Sequence, residues 1–130
     1  MNTIQHHIHR VLNRVLLDGM RDRKDMLALQ TLTPLSRKYL PWSQAAMRPS
    51  GLVAVLNDIV INNRTRVVEC GGGISTFYIS RLLSERGGHI FCIENDETWA
   101  NLLQEQLNKE GLADIATVIY APLEKTTHGL

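Results

Sequence analysis

Ile4, Ile8, Val11, Leu12, Val15 and Leu16 recur at three- and four-residue spacing, the period of one helix face, and predict an amphipathic helix. Gly19 is expected to end or bend it. A solvated mixed-charge stretch follows from Asp18 to Asp25, and Met26, Leu27, Leu29 and Leu32 resume the apolar pattern up to Pro34. Pro34, Pro41 and Pro49 punctuate residues 34–50, which read as a loop with one helical turn at most. Ser50 is the expected N-cap of a second helix whose apolar face is Leu52, Val55, Leu56, Ile59 and Val60. Asn62 and Asn63 stop that helix, because Asn tolerates a left-handed turn.

From residue 66 the period changes. Val67 and Val68 predict a short strand ending at Cys70, followed at once by glycines. Ser75 to Glu85 reads as a helix with Phe77, Tyr78, Leu82 and Leu83 inward, and Gly87 and Gly88 end it. His89 to Glu94 is a second strand, and its near-continuous apolar run suits a parallel strand covered on both faces. Asp96 and Glu97 open the next helix, where acids complement the dipole. Trp99, Leu102, Leu103 and Leu107 form its expected buried stripe, and Gly111 its C-terminal cap. Ile115 to Tyr120 is a third strand. Strand and helix in alternation predict an α/β fold: a Rossmann-like, doubly wound, mainly parallel sheet, represented by its first three strands and preceded by N-terminal helices. The helical extension covers 1–40 and the partial Rossmann-like domain 41–130.

Composition changes this picture little. The 130 residues are 44% hydrophobic and 21% charged, with net charge +1. A chain of this length fits one domain and one core. Its near-neutral balance offers no argument for nucleic acid or an anionic membrane. No apolar run approaches the ~20 residues of a membrane-spanning helix, and a secretory signal is not apparent, so the expected location is cytoplasmic. Cys70 and Cys92 read as buried free thiols of a reducing compartment. His6, His7 and His9 do not share one helix face and have no nearby Cys or acid, so no metal site is expected.

The chemistry gathers in "RVVECGGGIST", residues 66–76. Glycines after a strand let a ligand approach the backbone, and the following helix aims its free amides at the same place. Ligands of open α/β sheets bind in this crevice. No lysine precedes Ser75 and Thr76, so this is not a phosphate-transfer loop. Glu94 stands at the end of the second strand, just over twenty residues beyond Gly71, where an acid accepts from the hydroxyls of an adenosine ribose. Glu69 narrows the choice. A carboxylate at the strand tip repels a pyrophosphate but suits a ligand with an ammonium at that end.

At these residues the chain resembles the class I S-adenosylmethionine-dependent methyltransferases. "VVECGGGIST" is similar to their acid-plus-glycine first motif, and "IFCIENDETW" to their second. "IATVIYAPL" resembles the third strand and the loop bordering the adenine, and "PWSQAAMRPSGLVAVLNDI" the helix leading into the first strand. The likeness covers roughly residues 42 to 124. It implies S-adenosylmethionine as cofactor, with Gly71, Gly72 and Gly73 along its methionine portion and Glu69 on its ammonium. It also implies Glu94 on the ribose, Asn95 beside the adenine and Ala121 near the adenine edge. Ser75 stands where many members carry a third glycine.

The resemblance names no catalytic base, and the methyl acceptor cannot be read from these residues. In that family the first strand lies beside a fourth, which this sequence does not reach. The expectation is a fragment of a longer methyltransferase, ahead of a half completed by another chain and of a shortened non-catalytic domain. A dimer or partner chain could then cover the open sheet edge. Two other functions remain open at this point: an NAD(P)-binding oxidoreductase fragment, and a non-catalytic α/β module completed by a partner.

Overall fold

The computed structural model describes residues 3–126. Helix α1 runs over Thr3–Leu32, followed by a 3₁₀ turn at Thr33–Leu35 and helix α2 over Pro49–Ile61. Strand β1 (Arg66–Cys70), helix α3 (Ile74–Arg86), strand β2 (His89–Glu94), helix α4 (Glu97–Lys109) and strand β3 (Ala116–Tyr120) complete the order. The strands pair in parallel as β1-β2-β3, with Val67 beside Ile90 and Ile90 beside Ala116. The alternation read from sequence is therefore an α/β unit with a three-stranded parallel sheet.

Two helix boundaries differ from the sequence reading. Helix α1 passes through Gly19 without a break. An isolated glycine costs a helix only about 1 kcal/mol, and the charged stretch after it keeps good helix formers. Helix α2 starts at Pro49, not after a Ser50 cap. Arg48 occupies the cap position in an extended conformation, and Pro49 supplies a ready-made first-turn φ. The Ser50 amide donates instead to Asp25 Oδ1 at 3.0 Å, and Arg48 bonds Asp25 Oδ2 at 2.7 Å and Asp22 Oδ1 at 3.0 Å. These bonds fix the C-terminal part of α1 against the start of α2. The Asn stop is as expected: Asn63 takes the left-handed conformation, φ 48°.

One core cluster joins the layers. Leu32 and Leu35 of the N-terminal segment meet Leu52, Leu56 and Ile59 of α2, Ile79 and Leu83 of α3, and Leu103 and Leu107 of α4. Ile90, Cys92 and Ala116 supply the covered side of the sheet. The other side is bare among the described residues: Val68 is 64% exposed, and Phe91, Ile93 and Ile119 are also exposed. The expectation of a strand buried on both faces thus holds for one face only. Cys70 shares the bare side and is exposed, which corrects its reading as a buried thiol. Cys92 lies on the covered side and is buried, so strand alternation turns the two thiols to opposite faces.

Arg81 is buried in the same region. Its guanidinium donates to the Leu35 carbonyl at 3.0 Å and to Glu110 Oε2 at 3.2 Å, and sits 5.7 Å from the Tyr78 ring centre. It ties the N-terminal segment to α3 and to the end of α4. No helix among the described residues is long and apolar enough to cross a membrane.

Candidate functional site

The glycine turn is built by three different requirements. Gly71 has φ +79°, a conformation that side chains disfavour, and its amide continues the ladder to the Ile93 carbonyl at 2.8 Å. Gly72 has no room for a side chain: a Cβ would lie 2.5 Å from Cys92 Sγ and collide with Leu103 Cδ2. Gly73 is extended and faces open space.

The first turn of α3 is closed by a reciprocal cap. The Gly73 amide donates to Thr76 Oγ1 at 3.0 Å, while the Thr76 amide donates to the Gly73 carbonyl at 3.1 Å. The same Thr76 hydroxyl donates to Glu69 Oε2 at 2.5 Å, and the Ser75 hydroxyl donates to Glu69 Oε1. Glu69 is held by two hydroxyls and has no cationic partner among the described residues. Burial pushes its carboxyl pKa up, and the two hydroxyl bonds pull partly the other way. Cys92, buried below it, is pushed up to about 11 by desolvation first and the Glu69 charge second.

Above this floor lies a cavity of about 670 Å³, lined by Glu69, Cys70, the three glycines, Ser75 and the loop residues Ala45 to Met47. No Lys, Arg or His lines it. A second cavity of about 280 Å³ shares Gly72, Gly73, Ala45 and Ala46 and ends at Phe77 and Trp99. The first has the size of a small-molecule site.

Glu94 is placed differently. It is 6% exposed, and its carboxylate turns back onto backbone amides. Oε2 accepts from Gly72 at 3.0 Å, and Oε1 from Asn95 at 2.9 Å and Asp96 at 3.2 Å. It lines neither cavity. Asn95 is exposed beside it, and the Ala121 amide donates to the Glu94 carbonyl at 2.8 Å. The candidate residues therefore fall into two groups. Glu69, Gly71, Gly72, Gly73 and Ser75 surround the cavity; Glu94, Asn95 and Ala121 stand at the tips of β2 and β3. The Gly72–Glu94 bond connects the groups.

Two site residues escaped the sequence reading. Thr76 is fully buried and orders both the cap and Glu69; its signal was a hydroxyl three residues after Gly73, the spacing of a cap. Trp99 does not join the core stripe. It is 43% exposed, and its indole N–H donates to the Gly72 carbonyl at 2.9 Å. Leu102 is exposed as well, and Ala100, Leu103 and Leu107 form the buried stripe of α4. Gly72 is thus gripped at its N–H by Glu94 and at its carbonyl by Trp99. Trp42 packs 6.0 Å from the Tyr78 ring and donates to the Met47 carbonyl at 3.0 Å, bracing the loop that walls the cavity. Among the described residues no group of three His, Cys, Asp or Glu could hold a metal ion.

The raised Glu69 pKa has a definite sign in the stability profile. Below 4.5 the carboxyl is neutral in the folded and unfolded chain, and its burial is uncharged. As pH rises from there through the folded-state value, only the unfolded chain releases the proton readily, so this group's contribution to stability declines. Chemical denaturation at a series of pH values should therefore show Glu69→Gln gaining stability relative to the unaltered chain as pH rises across that window.

No protein-family model matches the chain, and no curated protein matches it.

Proposed function

We propose that this chain is the cofactor-binding portion of a methyltransferase, and that the cavity over the glycine turn takes S-adenosylmethionine. The carrying observation is the half-buried Glu69 carboxylate, oriented by Ser75 and Thr76 in a cavity whose lining contains no cationic side chain. Such a site attracts an ammonium and repels a pyrophosphate, which argues against NAD(P) at the same turn. The donor set fits the cofactor: a carboxylate for its ammonium, and side-chain-free backbone at Gly71 and Gly73 for its methionine portion. The bound cofactor would supply a methyl group on a sulfonium, ready for displacement by an acceptor.

The chain's own part is to hold and orient. Glu69 fixes the cationic end. Glu94, through its bond to the Gly72 amide, sets the shape of the turn; to accept from a ribose, its carboxylate would have to turn from the backbone amides toward the cavity. Asn95 and Ala121 border the base at the strand tips. Holding donor and acceptor in line supplies much of the acceleration in such a displacement. In this reading the sheet is one half of a doubly wound domain, with a second layer over Val68, Phe91 and Ile93.

Glu69→Gln is expected to weaken S-adenosylhomocysteine about tenfold or more, since a hydrogen bond to a charged group contributes ~1.5–3 kcal/mol. Methylthioadenosine, which lacks the amino-acid ammonium, should bind both forms alike. Equal losses for the two ligands in calorimetry would remove Glu69 from the ammonium. The affinity of S-adenosylhomocysteine should also fall as pH drops through the Glu69 pKa, because only the carboxylate attracts the ammonium.

A further inference from the structure

We infer that the groove between α3 and α4 is a second ligand site, which takes a small carboxylate carrying an aromatic ring on a short alkyl chain. The groove has a volume of about 490 Å³ and shares no lining residue with the glycine-turn cavity. That is the size of a small-molecule pocket. One wall is a single face of α4, where Trp99, Leu102, Leu103, Gln106 and Lys109 follow at three- and four-residue spacing. Phe77 of α3 and Tyr39 of the loop after Leu35 stand across from it. Phe77 and Leu103 are buried, whereas Trp99 and Leu102 keep apolar surface exposed in the groove. The Trp99 ring is already fixed, because its indole N–H is bound to the Gly72 carbonyl at 2.9 Å. A ligand ring laid against it therefore has little ordering to offset, and ring-on-ring contact is favourable.

Charge selects an anion. Lys38 and Lys109 line the groove at the C-terminal end of α4, together with Glu110. Glu110 already accepts from the buried Arg81 guanidinium at 3.2 Å, and the exposed Lys38 ammonium stands off at 3.7 Å. Lys109 pairs along the surface with Glu105, which does not line the groove, and exposed pairs of that kind contribute little. Arg81, Lys38 and Lys109 thus face Glu110 and Glu105, which leaves this end of the groove with surplus positive charge. The glycine-turn cavity has the opposite lining, Glu69 without Lys, Arg or His. The two cavities therefore select ligands of opposite charge. Trp99 and Lys109 are ~15 Å apart along α4, and a lysine side chain reaches back over part of that length. A ring at Trp99 and a carboxylate at the lysines match an aryl group on a short alkyl chain.

The test is calorimetric titration of the full chain with phenylbutyrate, and with phenylbutanol and phenylbutylamine as its neutral and cationic counterparts. Saturable binding of the acid is expected, with a dissociation constant on the order of a millimolar or tighter for a ligand of this size. The alcohol should bind roughly fivefold more weakly, and the amine more weakly still. Lys38→Gln and Lys109→Gln should each raise the dissociation constant of the acid about threefold to fivefold and leave that of the alcohol unchanged. Leu102→Ala should weaken acid and alcohol alike, by about fivefold, because it removes apolar surface that both ligands cover. Phe91→Gln, on the bare sheet face, should change neither. An amine that binds as tightly as the acid, or an acid affinity indifferent to both lysines, would overturn the proposal. So would sensitivity to Phe91→Gln in place of Leu102→Ala, or no saturable binding of the acid at all.

Discussion

Gly72→Ala is expected to lower the stability of the fold by about 3 kcal/mol, the upper range for an overpacked core site. For a chain of this size that is a fall in Tm on the order of 10 °C. The added methyl meets Cys92 Sγ at 2.5 Å and runs into Leu103 Cδ2. Both neighbours are buried, Cys92 completely, so neither can swing into solvent. The backbone of residue 72 cannot retreat either, because Glu94 holds its amide and Trp99 its carbonyl. Gly73→Ala is the paired control. Residue 73 is extended, and its Cβ faces open space beside the cavity. That variant should keep its stability within about 0.5 kcal/mol and lose affinity for S-adenosylhomocysteine. Thermal denaturation and calorimetric titration of both variants separate the packing glycine from the cavity-facing one. Equal melting temperatures for the two would show that the turn is looser than its hydrogen bonds indicate.

Arg81→Ala is expected to cost about 3–5 kcal/mol, the range for breaking one side of a buried ion pair. It leaves the Leu35 carbonyl without its donor and Glu110 with Lys38 alone, at 3.7 Å. Because Arg81 bridges the N-terminal segment and the end of α4, the loss should appear as faster hydrogen exchange around Leu35 as well as a lower urea midpoint. Arg81→Met with Glu110→Gln should recover much of the loss, since no charge is then left buried. A double variant no better than Arg81→Ala would show that packing of the side chain, not its charge, is what the site needs.

The elements most legible in the sequence were those with local signals. The β1–α3–β2–α4–β3 alternation followed from apolar runs and glycine stops, and Asn63 and Gly111 ended their helices in the left-handed conformation as their chemistry suggests. Long-range consequences were not legible. Gly19 has the signature of a stop, yet α1 continues because nothing in the surroundings demands a turn there. Trp99 and Leu102 have core spacing, but which α4 residues are buried depends on how the helix is rotated against β2, and it is Ala100 that faces inward. The burial of Arg81 depends on Leu35 and Glu110, which arrive from distant parts of the chain. At the site, the glycine turn and Glu69 were visible from spacing. The inward turn of Glu94 was not, because its partners are backbone amides that no residue type announces.

The proposed function requires one property of the glycine-turn cavity: with Glu69 at its floor, it should accept a phosphate-free nucleoside bearing an ammonium. Isothermal titration of the unaltered chain with S-adenosylhomocysteine and, in parallel, with NAD probes that property without any substitution. Saturable binding of S-adenosylhomocysteine at one site per chain is expected, with no binding heat from NAD. Binding of NAD as tight or tighter, or silence from both ligands, would rule the cavity out as a site for such a nucleoside.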